Sequence, residues 1–202
     1  MICQKIFLSH IPKSAGCSIR DALNPDEVLH WSPMLRQKDF CIQKYISENS
    51  YLNFLKIGFV RNPWDRLVSC YHFFRQGNNH EWQKEDEREI KKMQEFNEFN
   101  EFVLDFKDNQ TWWMEKFHFL NQHTWTHSSE GKLCLDYLGK VETIEKDVEL
   151  ICEMMSIPHV KIKKLNKSKR GHYMDYYNKE SKEIISTVYK KDIEYFRYKF
   201  GS

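Results

Sequence analysis

Two stretches of this 202-residue chain combine residue types suited to holding an anion. The first is Ile6-Phe-Leu-Ser-His-Ile-Pro-Lys-Ser-Ala-Gly-Cys-Ser18. An apolar run ends there in a turn of small residues and then a helix start. The first backbone N–H groups of a helix lack intrahelical acceptors, and together with the helix dipole they attract anions. Gly16 permits close backbone approach. Lys13 brings a full positive charge, and Ser14 and Ser18 bring hydroxyl donors. The segment is not the nucleoside-triphosphate loop, which needs G-x-x-x-x-G-K-[ST]. No glycine precedes Gly16, and the lysine comes before the glycine. Taken alone, an ordinary strand–helix turn with a solvated lysine competes with the anion reading.

The second stretch, Phe59-Val-Arg-Asn-Pro-Trp-Asp-Arg-Leu-Val-Ser69-Cys-Tyr71, is the more specific. Arg61 ends an apolar run, where open α/β sheets bind ligands. Its guanidinium matches phosphate oxygens in a bidentate way. Pro63 suits the first turn of the helix that follows. Ser69 lies two turns into that helix and can reach a ligand only if the helix runs beside it. Asp65 and Arg66 read as a structural pair. For Arg61 alone, a surface salt bridge is the competing reading.

Positioning these residues takes strands that alternate with helices. Lys5–Ile11, Phe54–Val60 and Leu133–Leu138 read as strands. Cys17–Leu23 and Trp64–Arg75 read as helices, with a further helix starting at Thr143 and a closing helix over Lys179–Phe196. The alternation predicts an α/β fold with a parallel sheet and crossover helices. Residues 81–101 carry eight acids against four bases and read as a solvated helix or insertion. Residues 161–170 carry six bases and no acid.

Composition narrows the function classes. The formal net charge is only +2, which argues against non-specific coating of nucleic acid. No apolar stretch approaches the roughly 20 residues of a membrane span, and no secretory segment is apparent. The six cysteines show no CxxC pair and no metal-ligand spacing, so they read as thiols of a reducing, cytoplasmic protein. The unusual figure is 15% aromatic residues. Six Trp and ten Tyr each carry a polar group that needs a partner or a wet edge.

Both motifs together resemble the two signatures of sulfotransferases that use 3′-phosphoadenosine 5′-phosphosulfate. The carbohydrate-type family 2 enzymes are the nearest in pattern. The resemblance continues at Gly139-Lys-Val-Glu-Thr-Ile-Glu-Lys-Asp147 and Leu165-Asn-Lys-Ser-Lys-Arg170, then at Tyr176-Tyr177 and Lys191–Phe196. It thus covers nearly the whole chain. It implies a P-loop-like parallel sheet flanked by helices. It also implies a single sulfotransferase domain over residues 1–202, with a charged helical insertion around 78–108.

The resemblance implies roles residue by residue. Lys13, Ser14, Ala15, Gly16, Cys17 and Ser18 would hold the 5′-phosphosulfate, with Lys13 neutralising the leaving group. Arg61 and Ser69 would hold the 3′-phosphate. Lys169, Arg170 and Gly171 would close over the nucleotide, a solvated basic loop being the alternative. Cys17 departs from the Thr or Ser usual at its position, and a thiol is the weaker donor. A phosphatase-type nucleophile at Cys17 would need an arginine at position 23, where Leu23 stands.

Sulfuryl transfer needs alignment, charge stabilisation and a base for the acceptor hydroxyl, and no metal. His30, between the two motifs, is the expected base, with Glu27 as the weaker rival. His10 more plausibly orients the first loop. Trp31, Trp112, Trp113, His123 and Trp125 are candidates for an acceptor site, since planar rings with one donor suit stacking on sugars; core packing is the alternative for each. His118 and His127 fall in the same aromatic stretch. The expected activity is sulfation of a hydroxyl, with a saccharide or glycoconjugate as acceptor. The alternatives are a small-molecule or lipid hydroxyl, a P-loop-type kinase, and a non-catalytic nucleotide-binding protein.

Overall fold

The computed structural model describes residues 5–23, 28–31, 42, 46, 53–77, 87–163 and 170–202. The chain divides into two compact units. One comprises Met1–Arg61 and Leu120–Asn166, the other Asn62–Phe119 and Lys167–Ser202.

The first unit is built on a parallel sheet. Strands β1 (Ile6–Ser9), β2 (Val28–Trp31), β3 (Leu55–Val60) and β4 (Tyr137–Lys140) lie in the order β2-β1-β3-β4. All three pairings are parallel, with Ile6 opposite Val28 and Leu55, and Ile57 opposite Tyr137. Every residue of β1 is buried, as continuous apolar runs in parallel strands require. Helix α1 (Gly16–Ala22) follows β1. Beyond a 3-10 turn at Val141–Thr143 lies the helix Ile144–Met155. Ile19 and Leu23 near α1, and Val148, Ile151, Cys152 and Met155 of the later helix, form one core with Ile6, Leu8, Ile57 and Phe59. Asp147 ties β4 to this later helix. Its carboxylate accepts from the Tyr137 hydroxyl (2.7 Å), the Lys140 N–H (2.9 Å) and the Thr143 hydroxyl (2.7 Å).

The strand expected over Leu133–Leu138 starts later. Leu133 is 41% exposed. Pairing begins where Asp136 meets Lys56. The Asp136 N–H donates to the Lys56 carbonyl (2.8 Å), and the Asp136 carboxylate takes both the Lys56 N–H and its ammonium (2.8 Å each). Gly139 is required beside β3, because a Cβ there would lie 2.5 Å from the Phe59 ring.

The second unit is helical. Helix α2 (Pro63–Arg75) is followed by α3 (Glu87–Gln94), α4 (Phe99–Asp108) and α5 (Gln110–Met114). With the Ile144–Met155 helix as α6, the unit closes with α7 (Lys179–Val188) and α8 (Lys190–Phe196). Part of the acidic stretch is therefore helical, in α3 and the start of α4; residues 78–86 lie outside the described residues. The single closing helix expected over Lys179–Phe196 is two. The break falls at Tyr189, which is 1% exposed and donates its hydroxyl to the Phe119 carbonyl (2.8 Å). Burying that hydroxyl with a partner outweighs continuing the helix.

Rings fill this unit. Trp113 stacks on Phe106 (5.8 Å between centroids), and Phe102 and Phe119 meet its edges. Phe74 stacks on Phe119 (5.5 Å).

Candidate functional site

The loop after β1 is conformationally unusual. Lys13 (φ 64°) and Ala15 (φ 62°) both adopt the left-handed region that residues with a Cβ avoid. A left-handed residue beside right-handed ones turns successive amides to one side and makes an anion-binding concavity. The first α1 bond runs from the Ile19 N–H to the Ala15 carbonyl (3.1 Å). Gly16, Cys17 and Ser18 therefore precede the helix ladder. No side chain caps this helix and no acid stands in its first turn. Gly16 is needed for packing here: a Cβ would lie 2.8 Å from the His10 ring. The His10 ring thus lies against the start of α1.

Parallel strands bring their C-terminal ends to one edge of the sheet. The Lys13–Ser18 loop leaves β1 at that edge, and Arg61 follows β3 there. The Arg61 guanidinium donates to the Lys13 carbonyl (3.1 Å), so the two motifs touch. Gln122 joins them a second time. It lies on a 3-10 turn, Gln122–Trp125, and is fully buried. Its Oε1 accepts from the Arg61 N–H (2.9 Å) and the Ser14 hydroxyl (3.3 Å), and its Nε2 donates to the Arg61 carbonyl (2.8 Å). Sequence reasoning missed Gln122. A lone glutamine 61 residues beyond Arg61 belongs to no motif, and nothing in its spacing could have flagged it.

The other expected residues are placed as follows. His30 and Trp31 end β2, paired along the backbone with Leu8 and Ser9 of β1; their side chains lie outside the described residues. His123 is half-buried on the turn that carries Gln122. Trp125 on the same turn is 2% exposed, and its carbonyl accepts from the Ser9 hydroxyl (2.8 Å). Glu27 and Lys169 lie outside the described residues.

The second unit holds Ser69, Arg170, Gly171, Trp112 and Trp113. Ser69 is buried on α2. Asn62 caps that helix, accepting from the Trp64 N–H (3.1 Å). The reading of Asp65 and Arg66 as partners of each other gives way to longer-range contacts. Arg66 donates to the His118 carbonyl (2.9 Å), and the Asp65 carboxylate takes Arg170. Gly171 is exposed. Trp112 is half-buried, with the Lys116 ammonium 4.5 Å from its ring centre. Trp113 is fully buried and donates its indole N–H to Asp105 (2.8 Å), which makes it a core residue. Among the described residues, no group of three or more His, Cys, Asp or Glu could hold a metal.

What the first unit assembles is a cation-rich loop edge built from Lys13, Ser14, the amides of residues 16–18, and Arg61. Such a set can neutralise and orient a polyanion. A model described as the sulfotransferase family matches residues 4–199. No curated protein and no solved structure matches the chain.

Proposed function

The chain belongs to the sulfotransferase family, and we propose that it transfers a sulfuryl group from 3′-phosphoadenosine 5′-phosphosulfate to a carbohydrate hydroxyl. The observation that carries the choice of donor is the junction of the two anion motifs through Arg61, Lys13 and Gln122. A nucleotide charged at both its 3′ and 5′ positions suits two cationic loops fastened together. The residues present fit it: Lys13 and Arg61 supply charge, and a helix start without acid or side-chain cap supplies amides.

When bound, that donor supplies an activated sulfuryl group. The chain's residues do the rest. The amides of Gly16, Cys17 and Ser18 and the Ser14 hydroxyl orient the 5′ end. Lys13 offsets the negative charge that grows on the leaving oxygen. Preorganised donors of this kind lower a barrier without reorganising during reaction. Arg61 holds the 3′-phosphate, with Ser69 assigned to it by motif alone; Lys169, Arg170 and Gly171 are assigned to nucleotide closure on the same ground. His30 takes the acceptor's proton.

Acceptor recognition is proposed for Trp31, Trp112 and His123. Trp113 and Trp125 are too deeply buried to stack on a sugar. We also take the chain as one catalytic domain with an insertion around 78–108, working in the cytoplasm. The thiols at Cys17, Cys70, Cys134 and Cys152 support a reducing compartment. No described helix is long and apolar enough to cross a membrane.

Thermal unfolding tests this reading. Adenosine 3′,5′-bisphosphate at about 100 times its Kd stabilises the protein by roughly 2.7 kcal/mol, and ATP with Mg²⁺ does not. The reverse order would point to a kinase-like site, and no shift with either ligand would overturn the donor reading.

A further inference from the structure

We propose that Gln122 is the positioning residue that makes donor binding depend on the 3′-phosphate. The inference rests on the donor reading above. Gln122 belongs to neither sequence motif, yet one side chain holds both. Its single carbonyl oxygen takes the Ser14 hydroxyl from the first loop and the Arg61 N–H from the second (3.3 and 2.9 Å). Its amide nitrogen closes on the Arg61 carbonyl (2.8 Å). Both main-chain polar groups of Arg61 are thereby fixed by one fully buried amide. With the backbone of Arg61 held at both ends, its guanidinium is presented from a fixed base and spans back to the Lys13 carbonyl (3.1 Å).

The chemistry explains why an amide is used. The three contacts need one acceptor and one donor on the same planar group, which the Gln side-chain amide provides. A carboxylate keeps the two accepted bonds and loses the donated one. An apolar chain of equal length loses all three and leaves the Arg61 N–H and carbonyl without this partner. The distance between the loop that binds one end of the nucleotide and the arginine that binds the other is thus set by Gln122. A ligand with both phosphates draws on that spacing; a ligand with only the 5′-phosphate does not.

The test compares affinities of adenosine 3′,5′-bisphosphate and adenosine 5′-monophosphate for wild type, Gln122→Met and Gln122→Glu. The wild type is expected to prefer the bisphosphate. In Gln122→Met that preference falls by about tenfold or more, the scale of one or two charge-assisted hydrogen bonds misplaced. In Gln122→Glu it falls less. The preference ratio separates positioning from simple structural loss, which weakens both ligands alike. Unfolding midpoints show which variants are folded, and if the Met variant is not, Gln122→Glu carries the test. A folded variant with the wild-type ratio overturns the role of Gln122. A wild-type protein that binds both nucleotides equally overturns the donor reading itself, which keeps the two failures apart.

Discussion

Lys13 and Ala15 hold left-handed backbone conformations that cost a residue with a Cβ about 1 kcal/mol each. The strain sits between a buried strand and a helix start, where it directs amides toward one side. Neighbouring packing keeps it in place, since the His10 ring lies against the bare Cα of Gly16. Cys17 contributes its amide to the same turn, so its departure from Thr or Ser leaves the backbone donor intact. Proton removal is the role we propose for His30. β2 carries His30 in register with Leu8, one residue before the end of β1 from which the anion loop departs. His30→Ala is expected to reduce turnover by about 10²- to 10⁴-fold, the usual contribution of a general base. Bisphosphate affinity should stay at the wild-type value, because the residues proposed to hold the phosphates are untouched. Turnover measured under saturating donor decides it. An unchanged rate would transfer the role to another group.

At the scale of elements, helix α2 shows how one residue organises a whole unit. Asn62 precedes Pro63, and its side-chain oxygen caps the helix through the Trp64 and Asp65 amides. Its Nδ2 donates to the Tyr173 hydroxyl (3.2 Å) and the carbonyls of Lys199 (3.1 Å) and Ser202 (3.2 Å). Asn62→Ala should destabilise the protein by about 1–2 kcal/mol, the worth of one helix cap plus the bond given to the buried Tyr173 hydroxyl. Asn62→Ser, which keeps a capping oxygen, should lose less. Urea unfolding measures both, and equal losses would mean that the cap itself contributes nothing. The same helix was legible in sequence to within one residue of its start, since Pro63 suits a first turn and Leu67, Val68, Tyr71 and Phe74 share one face. β1 and β3 were legible as continuous apolar runs. β2 was not, because four residues between Pro25 and Pro33 are too short for any periodicity to register. The break at Tyr189 was hidden for a different reason. The apolar spacing runs on through it, and only the Phe119 carbonyl shows why the helix stops. Gln122 was hidden most completely, since its meaning lies in which backbone groups it meets.

Across the whole molecule, the aromatic surplus has two destinations. Trp113, Phe102, Phe106, Phe119 and Phe74 make a ring-on-ring core in the helical unit, which replaces sugar stacking as the explanation for Trp113. Trp112 keeps a half-buried ring between Lys92 and Lys116. The same unit also holds a group from which a pH dependence of stability is expected. His72 lies near the end of α2, with its Nε2 2.9 Å from the Tyr176 hydroxyl and its ring edge-on to Tyr71 and Tyr176. Burial lowers its pKa below 6.5, and the charges of Arg170 and Arg75 lower it further. Glu98 and Asp175 line, together with His72, Arg75 and Tyr176, one cavity of this unit. In the unfolded chain the imidazole binds a proton near pH 6.5. In the folded protein it binds one only at lower pH. Between those two values the unfolded state holds more protons, so stability rises with pH. The stabilising contribution is therefore complete above about pH 7 and is lost as pH falls through the folded pKa. His72→Gln retains a hydrogen-bonding group for Tyr176 but cannot titrate. Urea midpoints taken from pH 7.5 down to 5.5 should fall more steeply for the wild type than for His72→Gln. Parallel slopes in that window would show that the imidazole titrates alike in both states and that the pH dependence arises from the carboxylates.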